Sequence, residues 1–179
     1  MTVITCQRCG ESLPAEYKFC GHCGASLRPS ETGSAARDEF RDVTILFADV
    51  SGFTAMSERL DPEALHQLMN ECFDGLGLVI TEHGGHIDKY IGDSIMAVFG
   101  APVAHDDDPE RAGDAALAMQ AFMRRFSDGL EARAGFGLKL RIGLHSGVVL
   151  AGGVGAEHRR DYSVMGDTVN TASRLEGSA

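Results

Sequence analysis

The apolar, partly β-branched run at residues 43–47 constrains the fold most strongly, because it predicts a buried β-strand. The run is followed by a carboxylate, Asp49, and then by Gly52, which lets the backbone pass close to a ligand. A carboxylate at the end of a buried strand is costly unless it is paired or binds a cation. We therefore expect Asp49 to have such a partner.

A predicted β-hairpin follows later in the chain. Two short strands, at residues 86–90 and 95–99, flank a turn at Gly92 and Asp93. If these strands neighbour the first one, the strand spacing of roughly 5 Å brings Asp49 and Asp93 close enough to share metal ions. The two carboxylates then form a candidate two-metal site for phosphoryl transfer.

Length and charge exclude several classes of protein. The 179 residues suffice for one medium domain with a small appendage, and 44% hydrophobic with 23% charged residues is a globular composition. The net charge of −10 argues against nucleic acid and anionic membranes as partners. No apolar run approaches the roughly 20 residues that span a bilayer, and the first four residues do not begin a signal peptide. We expect a soluble, cytoplasmic protein.

Two Cys-x-x-Cys pairs, each followed by glycine, lie in residues 1–27. Four thiolates suit tetrahedral Zn²⁺, and so short a segment has too little core to fold without a metal. A redox dithiol is the alternative, but it usually needs one such pair at the start of a helix. We predict a zinc ribbon with structural Zn²⁺, whose few basic residues leave a protein rather than DNA as the candidate partner. The expected ligands are Cys6, Cys9, Cys20 and Cys23.

Residues 28–38 are small and polar without periodicity, which predicts a flexible linker. After it, Asp61-Pro62 and Asp108-Pro109 each place an aspartate N-cap before a proline in the first turn of a helix. Cys72 lies on the apolar stripe of the first of these helices, so we expect a buried, inert thiol.

The remaining elements complete an α+β architecture. A last helix is predicted from about Asp167, and a turn is predicted at residues 146–147 between two strands. The strands expected here are at residues 136–145, 147–151 and 160–164. The order after the ribbon is therefore β-α-β-β-α-β-β-β-α, which predicts an α+β sandwich over residues 39–179.

Four segments resemble motifs of the class III adenylate/guanylate cyclase catalytic domains, and the resemblance covers residues 40–179. Phe-Ala-Asp-Val-Ser-Gly-Phe-Thr at 47–54 is similar to the first metal motif, and Lys-Tyr-Ile-Gly-Asp at 89–93 to the second. Arg-Ile-Gly-Leu-His-Ser-Gly at 141–147 resembles the strand with a phosphate-contacting arginine, and residues 162–174 resemble the transition-state segment. The resemblance implies a ferredoxin-like, palm-type sandwich, in which helices pack on an antiparallel-rich sheet.

The resemblance also implies how a nucleoside triphosphate is held. Asp49 and Asp93, assisted by the Val50 carbonyl, would bind two Mg²⁺ or Mn²⁺ ions per active site. Backbone N–H groups at the mouth of the following short helix would bind the terminal phosphates. The residues implied for that role are Ser51, Gly52, Phe53 and Thr54.

Three further residues take roles in catalysis by the same resemblance. Arg141 would hold phosphate oxygens, Arg174 would stabilise the charge that develops at the α-phosphate, and Asn170 would orient the ribose. The implied reaction is attack of the ribose 3′-oxygen on the α-phosphorus, which gives a 3′,5′-cyclic nucleotide for intracellular signal transduction.

Two residues of the implied base pocket favour ATP. Lys89 occupies the position where a lysine in this family donates to an adenine ring nitrogen, whereas guanylate cyclases usually have glutamate there. Ser163 occupies the partner position, and its hydroxyl can donate or accept, so it tolerates adenine without enforcing it.

The resemblance further implies a head-to-tail homodimer with shared sites. Asp49, Asp93 and Arg141 would come from one chain, and the partner would supply the other set. That set is Lys89, Ser163, Asn170 and Arg174.

The chain stops at Ala179, whereas domains of this family continue through further strands that supply a lysine to the triphosphate. We therefore expect a C-terminally incomplete domain with reduced or absent activity on its own. Alternatives are a guanylate cyclase, a non-catalytic cyclase-homology sensor or interaction module, and a polymerase palm or diguanylate cyclase. The last expects Gly-Gly-Asp/Glu-Glu-Phe at the hairpin, where this chain has Gly-Gly-His-Ile-Asp at 84–88.

Overall fold

The computed structural model describes residues 3–6, 11–14, 17, 22, 38–52, 56, 60–156 and 159–179, and for residues 3, 4, 12, 155, 156 and 159–161 it describes the backbone alone. The chain divides into two units, Met1–Arg37 and Asp38–Ala179. Most of the predicted linker and the expected zinc ligands Cys9, Cys20 and Cys23 lie outside the described residues.

The first unit contains a small antiparallel hairpin. Strand β1 (Val3–Thr5) pairs with β2 (Ser12–Pro14), and Ile4 lies opposite Leu13. Cys6 follows β1 directly, is buried, and its N–H donates to the Glu11 carbonyl at 2.8 Å. One of the four expected zinc ligands is thus placed at the end of a hairpin strand.

The described residues of the second unit include a five-stranded sheet and three helices whose two ends are both defined. Its first strand, β3 (Glu39–Ser51), is buried from residue 43 to residue 50, as the apolar run predicts. In chain order the other elements are α1 (Pro62–Glu82), β4 (His86–Ile91), β5 (Ser94–Phe99), α2 (Asp108–Ala134), β6 (Lys139–Ala156), β7 (Arg159–Met165) and α3 (Asp167–Glu176).

Strand β3 lies at the centre of the sheet, whose order is β4-β5-β3-β6-β7 with every neighbouring pair antiparallel. A strand with neighbours on both sides and helices over both faces is expected to be apolar throughout, which explains the continuous run at 43–47. Strand β5 pairs directly with β3, so the condition under which Asp49 and Asp93 were expected to lie close together is met for one strand of the hairpin.

Helices cover both faces of the sheet. One face packs residues such as Leu46 and Ile95 against α1 and α2, and the other packs Ile45 and Val98 against α3. Helix α1 begins as predicted, because the Asp61 carboxylate accepts from the N–H groups two and three residues further on. Helix α2 begins at the other Asp-Pro pair, but the prediction of Asp108 as its N-cap is wrong: the N-cap is Asp107, and the Asp108 carboxylate accepts from the His105 N–H at 2.7 Å. Among the described residues, no helix has both the length and the apolar character needed to cross a bilayer.

The predicted turn at residues 146–147 is wrong, because β6 runs through it as one strand. Ser146 lies opposite Thr44 of β3, and their hydroxyl oxygens are 2.8 Å apart. Gly147 packs against α3, since a Cβ atom there would come within 2.8 Å of Thr168 Oγ1. The Ser-Gly pair therefore serves cross-strand and helix packing, and residues 139–156 form one strand where the sequence predicts two.

Candidate active site

Asp49 lies near the end of β3, between one partner from each neighbouring strand. Its Oδ1 accepts from Ser94 Oγ of β5 at 2.6 Å, and its Oδ2 accepts from Arg141 Nη2 of β6 at 2.5 Å. The residue is only 9% exposed. A carboxylate this buried requires compensating partners, and Asp49 has them, as the sequence analysis expects.

Asp93 lies in the turn between β4 and β5, beside the end of β3. Its carbonyl accepts from the Val50 N–H at 3.1 Å, which fastens the turn to the strand that carries Asp49. Gly92 allows this turn because its φ is +63°, in the left-handed region. The hydrogen bond to Asp49 is the main cause that raises the pKa of Arg141, and burial is the main cause that raises the pKa of Glu176; the charge of Asp93 adds a smaller rise to both, which places its carboxylate in the same electrostatic cluster as Asp49.

Glu176, which sequence analysis did not single out, completes this cluster from the last turn of α3. Its Oε1 is 3.2 Å from Arg141 Nε, although the two atoms are not aligned for a hydrogen bond. Burial and then the charge of Asp49 raise the pKa of Glu176, while Arg141 opposes the shift. The hydrogen bond to Asp49 is the largest cause that raises the pKa of Arg141.

The spacing of buried residues on α3 explains how Glu176 reaches the sheet. Thr168 and Ala172 are buried at four-residue intervals before it, so all three lie on the inward face of the helix. Gly143 of β6 permits the close approach, because a Cβ atom there would collide with the backbone of Ala172 and Glu176. A four-residue repeat ending in glutamate was the available sequence signal for this residue.

Asn170 and Arg174 lie on the opposite, exposed face of α3. The Arg174 side chain is 71% exposed, and its nitrogens contact the Asn170 carbonyl, the Thr171 hydroxyl and Asp167. Within the described part of this single chain, these contacts are all local to the helix, and they do not bring either residue to Asp49. The predicted site residues therefore fall into separate groups in one chain.

A second group forms where the two edges of the curled sheet approach each other. Lys89 of β4 donates from Nζ to Ser163 Oγ of β7 at 3.2 Å, although these strands are the outermost two of the sheet. The aromatic rings of His86 and Tyr162, on the same two strands, are 6.4 Å apart. Asp88 joins the group through both Lys89 and Ser163, and sequence analysis gave it no role.

The loop after β3 is described only in part. Ser51 Oγ is buried and has no hydrogen-bond partner among the described residues. Gly52 has φ +102°, and its Cβ position would lie 3.5 Å from the Gly137 carbonyl. Phe53 and Thr54 lie outside the described residues. An orphaned hydroxyl beside a left-handed glycine is a suitable place for phosphate oxygens.

The donor set at the first cluster suits a hard divalent cation. Carboxylate and backbone oxygens, which Asp49, Asp93 and Val50 offer, are the ligands that Mg²⁺ and Mn²⁺ prefer. In the described part of the chain no group of three or more His, Cys, Asp or Glu side chains is arranged as a metal site. A cation here would rest on two carboxylates together with backbone, water and substrate oxygens, which is usual for Mg²⁺.

Comparison with known proteins identifies the family. The adenylate and guanylate cyclase catalytic domain family matches residues 35–179, and a zinc-ribbon domain family matches residues 5–27. Since the first match spans most of the chain, the chain belongs to the adenylate and guanylate cyclase catalytic domain family and carries an N-terminal zinc ribbon. The resemblance inferred from the four motifs and the predicted α+β, palm-type fold are thus confirmed.

Two adenylate cyclases are similar to this chain over most of its length. The chain is 39% identical to adenylate cyclase 1 of Rhizobium meliloti over 76% of its own length, and 42% identical to an adenylate cyclase of Anabaena cylindrica over 82%. It spans only 21% and 28% of those two proteins.

Solved structures of both kinds of cyclase are similar as well. The adenylyl cyclase CyaB from P. aeruginosa has a TM-score of 0.76 at 34% identity, over 79% of this chain and 74% of that one. The guanylyl cyclase Cya2 has a TM-score of 0.73 at 38% identity, over 79% and 72%. At these identities the likeness extends beyond the fold to the family.

Proposed function

We propose that this chain is the catalytic domain of an adenylate cyclase, which converts ATP to 3′,5′-cyclic AMP and pyrophosphate. The observation that carries the proposal is the meeting of Asp49, Asp93 and Arg141 at the ends of neighbouring strands. Two carboxylates beside an arginine are suited to a metal–triphosphate complex, because they offer metal ligands and a phosphate contact together.

In the proposed reaction the carboxylates of Asp49 and Asp93 hold two Mg²⁺ or Mn²⁺ ions, with help from the Val50 carbonyl. When bound, such ions lower the pKa of the ribose 3′-hydroxyl and neutralise the leaving pyrophosphate. The 3′-oxygen forms a bond to the α-phosphorus, the bond from that phosphorus to the pyrophosphate oxygen breaks, and the hydroxyl proton passes to solvent.

Arg141 has a double role in this proposal. Without substrate its guanidinium neutralises Asp49, and it also lies beside Glu176. A triphosphate would offer the guanidinium more highly charged oxygens than Asp49 does. Glu176 would keep Arg141 in the site while its guanidinium turns from Asp49 to the phosphates. Ser51 and Gly52, with Phe53 and Thr54, would bind the terminal phosphates through backbone N–H groups.

A homodimer with shared sites is part of the same proposal. Asn170 and Arg174 lie on an exposed face of α3, which suits residues that complete the partner's site. A row of exposed apolar residues crosses three neighbouring strands, because Phe40 pairs with Leu150, which pairs with Met165. Exposed apolar rows of this kind usually mark interfaces, and a second copy of the chain is the proposed occupant.

We also propose the domain plan of a zinc ribbon at 1–27, a linker at 28–38 and the cyclase domain at 39–179, in a cytoplasmic protein. The ribbon family match and the two Cys-x-x-Cys pairs support one structural Zn²⁺. Metal analysis of the purified chain tests this: we expect one zinc per chain and its loss in Cys6→Ser.

A guanylate cyclase is the second candidate, because the similar structures include the guanylyl cyclase Cya2 at 38% identity. Lys89 favours ATP, since it brings a donor to the base pocket. The deciding experiment supplies ATP or GTP with Mn²⁺ to residues 1–179 and to a longer polypeptide that contains them. Mass spectrometry should find cyclic AMP as the main product of the longer polypeptide. Formation of cyclic GMP alone, or of no cyclic nucleotide, would refute the proposal.

A further inference from the structure

Asp88 occupies an irregular position in β4. The pairing of β4 with β5 shifts its register between Ile87 and Lys89, so Asp88 lies in a β-bulge. Its side chain is only 1% exposed. Carboxylates are rarely buried to this degree without partners, and β-bulges often re-aim a side chain near a functional site.

The partners of Asp88 are the two residues expected to contact the nucleotide base. Its Oδ2 is 2.9 Å from Lys89 Nζ and 3.1 Å from Ser163 Oγ. Lys89 Nζ is in turn 3.2 Å from Ser163 Oγ, so the three polar groups form a closed triangle. The Lys89 side chain is half exposed, so this triangle reaches the surface through its ammonium group.

The direction of these hydrogen bonds removes an ambiguity that the sequence leaves open. A serine hydroxyl has one hydrogen to donate, and a carboxylate can only accept. Since Ser163 donates its hydrogen to Asp88 and accepts from Lys89 Nζ, Ser163 Oγ has one lone pair left to offer to a ligand. Ser163 is therefore an acceptor, and Lys89, whose ammonium has no lone pair, is a donor.

A donor beside an acceptor matches adenine and mismatches guanine. The six-position of adenine carries an amino group that donates, whereas that of guanine carries an oxygen that accepts. The adjacent ring nitrogen accepts in adenine and is protonated in guanine. Guanine would thus face like groups at both Ser163 and Lys89.

We propose that Asp88 is a positioning residue that fixes the Ser163 hydroxyl as an acceptor and so selects adenine over guanine. This inference rests on the proposed cyclase function. In this arrangement the Asp88–Ser163 pair offers the base only a hydrogen-bond acceptor, as a carboxylate at position 163 would. Ser163 then enforces adenine, instead of tolerating it.

The test is the ratio of ATP to GTP use in the variant Asp88→Asn. An amide can donate to Ser163 Oγ, which frees the hydroxyl hydrogen for the guanine oxygen. We expect the ratio of kcat/KM for ATP to that for GTP to fall about tenfold or more, the scale of one mismatched buried hydrogen bond. Binding of α,β-methylene ATP and GTP with Mn²⁺, measured by calorimetry, should show the same change in preference without turnover.

Three further single variants and one double variant separate this role from a structural one. Asp128→Asn makes the same charge change at an exposed residue of α2 and should leave the ratio unaltered. Ser163→Ala removes the group on which Asp88 acts, so adding Asp88→Asn to it should change the ratio no further. Circular dichroism and thermal unfolding identify any variant whose fold is lost, and Ser163→Thr, which keeps the hydroxyl, should retain the adenine preference.

The possible outcomes distinguish the two proposals. If the wild-type protein prefers ATP and Asp88→Asn weakens both nucleotides equally, Asp88 has only a structural role and the inference is wrong. The same conclusion follows if Asp88→Asn alters the ratio as strongly without Ser163 as with it. If the wild-type protein neither binds nor converts either nucleotide, the proposed function itself fails and this inference with it.

Discussion

Replacement of Gly143 by alanine is the sharpest test of how α3 is seated on the sheet. A Cβ atom at this position would lie 2.8 Å from the Glu176 Cα atom and would also collide with the Glu176 nitrogen and the Ala172 carbonyl oxygen. Ordinary contact begins at 3.4 Å, and the Glu176 nitrogen and the Ala172 carbonyl oxygen lie closer still than the Glu176 Cα atom, so the helix must retreat by about 1 Å. Backbone atoms of a helix cannot rotate away, so the whole of α3 has to move.

Both stability and activity should respond. Overpacking of this kind costs about 1–3 kcal/mol of unfolding free energy, which for a protein of this size lowers Tm by about 2–12 °C. The displaced helix also carries Glu176 away from Arg141 and moves Asn170 and Arg174. Because small misplacements cost up to about a hundredfold in rate, we expect kcat to fall about tenfold to a hundredfold.

The assay is thermal unfolding together with cyclase turnover, with Gly129→Ala as the matched control. Gly129 lies in α2 with nothing within 4 Å of its Cβ position, so alanine there should stabilise the helix by about 0.5–1 kcal/mol. If Gly143→Ala unfolds at the wild-type temperature and keeps wild-type kcat, α3 does not pack on β6 as described.

Three further predictions concern single groups and the assembly. Burial raises the pKa of Cys72 from 9.0 to about 12, so its thiolate population falls about a thousandfold. Peptide mapping should find Cys72 unmodified by iodoacetamide at pH 8 until the protein is unfolded. Rapid alkylation of Cys72 in the native protein would contradict this prediction. The pKa of Glu176 is raised above 4.5, so the stabilising contribution of its protonated carboxyl is complete below pH 4.5 and is lost as the pH rises through the higher folded-state pKa. In urea titrations the unfolding free energy of Glu176→Gln should therefore rise relative to that of the wild type between pH 4 and pH 7. A difference that stays constant over this range would contradict the prediction. Asp49→Asn and Arg174→Ala should each be inactive, whereas an equal mixture should recover about a quarter of wild-type turnover through heterodimers with one intact site, a recovery that sites confined to one chain could not give.

Local sequence patterns predicted much of the fold. The run at 43–47 predicted the central strand, and the Asp-Pro pairs predicted where two helices begin, because these signals depend on neighbouring residues alone. The capping role was correct for Asp61 and wrong for Asp108, since Asp107 is the N-cap of α2. The turn predicted from the Ser-Gly pair at 146–147 is wrong, because both residues contact residues distant in the chain. The Ser146 hydroxyl hydrogen-bonds with Thr44, and Gly147 leaves room for Thr168. Tertiary packing there overrode the turn preference of the residues.

The residues of the candidate site that belong to the family motifs were predicted from the sequence. Two further residues, Asp88 and Glu176, were not. Asp88 escaped notice because nothing in the sequence marks the bulge that buries it, or the curl that brings β4 to β7. Glu176 escaped because its partner Arg141 lies on another element, and an acidic residue at a helix end is usually solvated. Both residues act on neighbours that the motifs did identify.

The central claim is that Asp49 and Asp93 together hold divalent cations beside a nucleoside triphosphate. Titration of Mn²⁺ into the protein with α,β-methylene ATP, followed by electron paramagnetic resonance, measures this directly. We predict two bound Mn²⁺ ions per site in the wild type and markedly weaker binding in both Asp49→Asn and Asp93→Asn. Binding that is unchanged in both variants would contradict the account.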